Sequence, residues 1–101
     1  MTEKKIIISI DPDLEELIPT FLENRSADLE KLKQALKAKD METLRSVGHS
    51  LKGVGGGYGF DRITELGAAI ESGAKNNDIP TIEQQLLEFE HYLANIEVRY
   101  E

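Results

Sequence analysis

Cysteine is missing from the chain, which removes disulfides, zinc–thiolate centres and thiol nucleophiles from consideration. Long hydrophobic runs are missing too. None exceeds three residues, and Ile6-Ile7-Ile8 is far short of a membrane span, and too short for a signal-peptide core even with Lys4 and Lys5 before it. The expected location is therefore the cytoplasm, with no membrane partner. Basic charge is scarce: 12 Lys and Arg stand against 19 Asp and Glu, for a net charge of −7 and a pI near 4.8. No basic surface able to neutralise several phosphates can be assembled from that set, so nucleic acid is excluded as a partner. Histidine occurs only at 49 and 91. Neither has a third ligand at helical spacing, and no metal site is expected.

What is present is one domain's worth of amphipathic helix. The chain has 101 residues, 40% hydrophobic and 31% charged, enough for a single core and too little for two. Residues 1–10 are rich in isoleucine and lack helical period, so they read as an extended N-terminal arm that packs along the domain or pairs with another chain's arm. Asp11-Pro12 is a helix-start signal. Leu14, Leu17, Ile18, Phe21, Leu22, Leu29, Leu32 and Leu36 then recur at three- and four-residue steps. Pro19 divides this run into a short helix at 12–18 and a long one from about 19 to 38.

Asp40 caps the next helix, expected from 41 to about 57 and ended by Tyr58-Gly59. Phe60, Ile63, Leu66, Gly67, Ile70 and Ala74 form a third stripe, which stops at Asn76-Asn77. Asp78 and Pro80 open a last helix whose apolar positions Ile82, Leu86, Phe89, Leu93, Ile96 and Tyr100 step as a heptad seam. The expectation is an all-α fold over 11–101: an antiparallel up-and-down four-helix bundle with a short extra N-terminal helix, preceded by the arm at 1–10.

One stretch does not fit a plain bundle helix. Gly48-His49-Ser50-Leu51-Lys52-Gly53-Val54-Gly55-Gly56-Gly57 places five glycines in a helical run, each costing about 1 kcal/mol relative to alanine in a helix interior. With Leu44 at zero and roughly 100° per residue, Val47, Gly48, Leu51, Gly55 and Tyr58 fall within about 60° and form the buried stripe. His49 lies about 140° away, beside Arg45, Lys52, Gly53 and Gly56, and so faces water. Gly48 and Gly55 let a neighbouring helix approach, while Gly53 and Gly56 clear space around the imidazole. No carboxylate falls between Thr43 and Phe60; that window carries +2 through Arg45 and Lys52, which leaves −9 for the rest of a chain of net charge −7. An exposed imidazole beside a cation, in a cleared and locally positive patch, suits an acidic docking partner or a phosphate.

The pattern His49-x-Leu51-Lys52-Gly53 followed by Gly59, on a surface helix in a chain of this length, resembles the histidine-containing phosphotransfer (HPt) domain of two-component phosphorelays. The helix pattern extends the likeness over roughly residues 11–99. The resemblance implies that His49 is the phospho-acceptor, that Lys52 stabilises the phosphoryl oxygens, and that Gly53 and Gly59 keep the docking surface open, with Arg45 and Gly56 beside them. The partner it implies is the receiver domain of a response regulator or hybrid sensor kinase, which brings the aspartate and the Mg²⁺; the chain has no cofactor and no ATP site of its own. It is then a phosphocarrier and not an enzyme, expected as a monomer. The chain departs from the family pattern in having Gly48 where alanine is common, and glycines at 55–57 where serine or alanine is usual.

Other chemistries fit less well. The spacing from Gly48 to Gly53 fails the Walker pattern because Val54-Gly55 follows, and no strand leads into a dinucleotide-type glycine pattern. Asp11-x-Asp13-x-Glu15 lacks the glycine and the final carboxylate of a calcium loop. Ser50 points about 100° away from His49, so the two do not pair as in a hydrolase. His91, with acids nearby, reads as a solvated surface residue. The competing function is a helical adaptor that keeps the bundle and binds a signalling partner without taking phosphate.

Overall fold

Two Asp-x-x-Thr boxes set the frame. Asp40 and Asp78 each accept a hydrogen bond from the backbone N–H three residues on, from Thr43 at 3.1 Å and Thr81 at 3.2 Å, and each takes the threonine hydroxyl on its other oxygen. Both satisfy donors that a helix start leaves orphaned. The Thr43 hydroxyl, then its N–H, hold the Asp40 carboxyl below its ordinary pKa. In the computed structural model, which describes residues 5–101, these boxes open the second and fourth of four helices: α1 Ile18–Lys37, α2 Met41–Val54, α3 Asp61–Lys75 and α4 Ile79–Asn95. Lys39 and Asn77, at φ 56° and 52°, turn the chain left-handed after α1 and α3.

The links 38–40 and 76–78 are too short for anything but antiparallel neighbours, and each helix packs on the next, with α4 closing back on α1. The expected four-helix bundle is the fold. Leu32, Leu44, Leu51, Ile63, Leu66, Ile70, Ile82 and Phe89 are fully buried at its centre. Burial of these stripes, not local propensity, stabilises helices of this length.

The chain ends depart from expectation. Residues 12–18 do not form a helix: Pro12–Leu14 is a single 3-10 turn capped by Asp11, and α1 begins at Ile18 with Pro19 in its first turn. Proline is accommodated there because that N–H has no intrahelical acceptor. The helix carrying His49 stops at Val54 and not near 57; a 3-10 turn at Gly56–Tyr58 follows, closed by Gly59 at φ 90°. Gly55, Gly56 and Gly57 therefore do not incur a helix-interior cost.

The heptad seam also breaks. α4 ends at Asn95, whose amide donates to the His91 carbonyl at 2.7 Å, and Ile96 turns to extended geometry. The last β-branched residues form a strand, β2 (Ile96–Tyr100), which pairs in parallel with β1 (Ile6–Ile10), Ile6 opposite Ile96 through Ile10 opposite Tyr100. Within the segment expected as an arm, residues 1–4 lie outside the described residues. Ile10 is only 2% exposed and enters the core.

Candidate functional site

α2 presents its sides as the helical wheel requires. Leu44, Gly48 and Leu51 are buried, while the His49 side chain is 67% exposed and that of Lys52 45% exposed. α2 and α3 approach closely at Gly48: a Cβ there would lie 2.8 Å from the Glu71 backbone nitrogen and 3.0 Å from the Gly67 carbonyl oxygen. Gly67 on α3 answers it, its Cβ position lying 2.7 Å from the Gly48 carbonyl oxygen. This glycine-to-glycine contact fixes the register of α3 against α2, and the register delivers a residue the sequence reading overlooked.

That residue is Glu71. Its side chain is 9% exposed, with Oε2 at 2.9 Å from His49 Nδ1 and Oε1 at 3.1 Å from Lys52 Nζ; Lys75 Nζ stands 3.8 Å from Oε2. The expectation of a clearing without acids around His49 holds along the sequence and fails in space. A signal was available: Glu71 follows Ile70 and precedes Gly73 and Ala74 on the buried stripe of α3, and an acid on such a stripe requires partners. The Lys52 ammonium, bonded to Glu71, holds its carboxyl below the ordinary value; burial opposes this, and His49 and Lys75 add to the lowering.

An ionised carboxylate only accepts hydrogen bonds, so the ring nitrogen facing Glu71 carries the proton. In its neutral form His49 is thereby held as the tautomer with Nδ1–H donated inward and the lone pair on Nε2, away from the carboxylate. That ring can act as a nucleophile toward an electrophile arriving from solvent. Positive charge gained by the ring on attack would be met by Glu71, in the manner of a base-orienting acid.

The other residues expected at the site fall as follows. Gly53 is exposed and has nothing within 4 Å of its Cβ position; Gly56 is exposed, with only Thr64 and Asp61 side-chain oxygens at 3.6 and 3.7 Å. The left-handed turn at Gly59 lies against Ile10, whose Cδ1 is 2.8 Å from the Cβ position there. Arg45 is exposed and, among the described residues, makes no ion pair. Phe21 is buried and stacks on both Tyr58 and Phe60, at 4.5 and 5.1 Å between ring centroids, with the Arg25 guanidinium 4.7 Å from its own centroid. Leu17 is 52% exposed. His91 sits exposed on α4, its Nδ1 3.2 Å from Asn95 Nδ2. Among the described residues no group of acids and histidines is arranged to hold a metal ion, and no helix is long and apolar enough to cross a membrane.

Comparison with known protein families matches this chain to the Hpt domain over residues 16–98. Comparison with curated proteins and with solved structures finds no match.

Proposed function

The chain belongs to the Hpt domain family, and from that premise we propose that His49 carries a phosphoryl group to or from the aspartate of a receiver domain in a two-component phosphorelay. The observation that supports this reading best is the 2.9 Å contact of His49 Nδ1 with Glu71. In the neutral ring this contact puts the single proton on Nδ1 and leaves the lone pair on Nε2, and the side chain is two-thirds exposed.

In the forward step Nε2 attacks the phosphorus of the receiver's aspartyl phosphate in line. The N–P bond forms as the P–O bond to the aspartate breaks, and the carboxylate departs with the bonding pair. The ring keeps its Nδ1 proton, and Glu71 balances the charge it acquires. Lys52 is proposed to shift from Glu71 toward the phosphoryl oxygens as they arrive, an electrostatic contribution realised mainly in the transferred state. Glu71 already engages both oxygens with Lys52 and His49, so the Mg²⁺ is proposed to come with the receiver. Arg45 and the opening around Gly53, Gly56 and Gly59 are the proposed landing surface. The protein acts as a phosphocarrier and takes its phosphate from another chain.

The test mixes the protein with a labelled phosphorylated receiver and Mg²⁺. Acid-labile, alkali-stable label should appear on the wild type and not on His49→Gln. Equal labelling of both would remove His49 from the reaction and favour an adaptor that binds without accepting phosphate.

A further inference from the structure

A parallel sheet of two strands is an unusual thing to leave at a protein surface, since parallel strands are normally found inside larger covered sheets and a two-stranded unit is marginal by itself. Its two edges differ. β2 carries Glu97 and Arg99, charges of the kind that protect an edge strand, whereas β1, Ile6-Ile7-Ile8-Ser9-Ile10, carries none. The Ile10 carbonyl accepts a hydrogen bond from the Glu101 N–H at 3.0 Å. Backbone groups alternate along a strand, so Ile6, Ile8 and Ile10 direct theirs at β2, and Ile7 and Ser9 direct theirs outward. Among the described residues, the N–H and C=O groups of Ile7 and Ser9 have no backbone partner. Ile7 is also 47% exposed, and Ile6 borders a hollow of about 290 Å³ shared with Leu87, which is 63% exposed.

We propose that this free edge of β1 binds the same edge of a second copy of the chain, antiparallel about a two-fold axis at Ile8, giving one sheet in the order β2-β1-β1-β2. The register follows from the outward groups. Ile7 faces the second copy's Ser9 and Ser9 its Ile7, each pair exchanging both hydrogen bonds. The same register sets Lys5 opposite the second copy's Asp11 on the solvent side of the sheet, and does so twice by symmetry. Both are exposed, so the register that satisfies the backbone also pairs opposite charges. A shift by two residues in either direction loses one or the other. An acidic chain of net charge −7 associates here through an uncharged strand flanked by a lysine and an aspartate.

Sedimentation equilibrium of the full chain over micromolar to millimolar concentrations reads the association. A reversible monomer–dimer equilibrium is expected. Ser9→Pro deletes an outward N–H and leaves the bonds to β2 in place, so it should weaken dimerisation at least roughly ten-fold with the helical circular dichroism unchanged. The register has its own readout, because the chain has no cysteine of its own. In Ile8→Cys the two thiols face each other across the axis at about 4.5 Å between Cα atoms, within disulfide reach. In Ser9→Cys they sit on a diagonal, about 7–8 Å apart. Oxidation should therefore cross-link the first and spare the second, although residue 9 is the more exposed. A chain that stays monomeric at every concentration, its edge left for a strand of some other protein, overturns the proposal. So does cross-linking of Ser9→Cys as readily as of Ile8→Cys.

Discussion

Glu71 is a buried acid that two exposed residues, His49 and Lys52, depend on for their orientation, so its removal should be felt at the ring and not only in stability. Glu71→Ala should slow phosphotransfer roughly ten- to a hundred-fold by releasing the imidazole from its productive orientation. Glu71→Gln, which keeps an acceptor oxygen, should be milder; rates measured under single-turnover conditions distinguish the two. Lys52→Ala should slow transfer roughly ten-fold while circular dichroism stays unchanged, because Lys52 lies outside the buried stripe. The pH dependence has a definite sign. The folded carboxyl of Glu71 titrates below its ordinary value of 4.5, so the stability its ionised form contributes is complete above that pH and is lost as pH falls through the depressed value. Thermal melts should show wild-type stability declining more steeply in this acid window than that of Glu71→Gln. At this scale the sequence was half legible. A helical wheel suffices to put His49 and Lys52 on one exposed side, because they share a helix. Glu71 stands 22 residues from His49, and its arrival depends on how closely two helices approach.

That approach is set by glycine, and the glycines of α2 and α3 do opposite things. Alanine at Gly48 or Gly67 gains helix propensity of about 1 kcal/mol but drives a methyl into backbone of the facing helix, at 2.8 and 2.7 Å respectively. Overpacking of this kind costs about 1–3 kcal/mol, and because the obstacle is backbone and not a movable side chain, both variants should lose stability in denaturant titrations. Gly53 is the reverse case. It lies within α2 with open space around it, so Gly53→Ala should stabilise the fold by up to about 1 kcal/mol. If the opening serves docking, the same variant transfers phosphate more slowly, and the two measurements together separate a functional glycine from a structural one. Periodicity located all four helices because each buries one stripe. It misread their ends where another interaction took over: the α4 seam runs on by apolar spacing through Ile96 and Tyr100, but Asn95 bonds back to His91 and the β-branched residues beyond it find a strand partner that no local pattern announces.

For the molecule as a whole, that strand joins residues 6–10 and 96–100 to each other and to the four-helix bundle. Ile10 is fully packed and lies against the turn at Gly59 that closes the region after His49. Ile10→Ala should therefore cost about 2–5 kcal/mol, whereas Ile7→Ala, on the exposed side of the same strand, should change the melting temperature little. The bundle, the glycine contact and the closing strand together support one central claim: His49 is held by Nδ1 and offers Nε2 to the receiver. The most direct measurement is long-range ¹H–¹⁵N NMR of the phosphorylated protein, labelled on its histidine nitrogens, which reports the nitrogen that bears phosphorus. Phosphate on Nε2 of His49, with the Nδ1 proton retained, is the result predicted; phosphate on Nδ1, or on any residue other than His49, would contradict it.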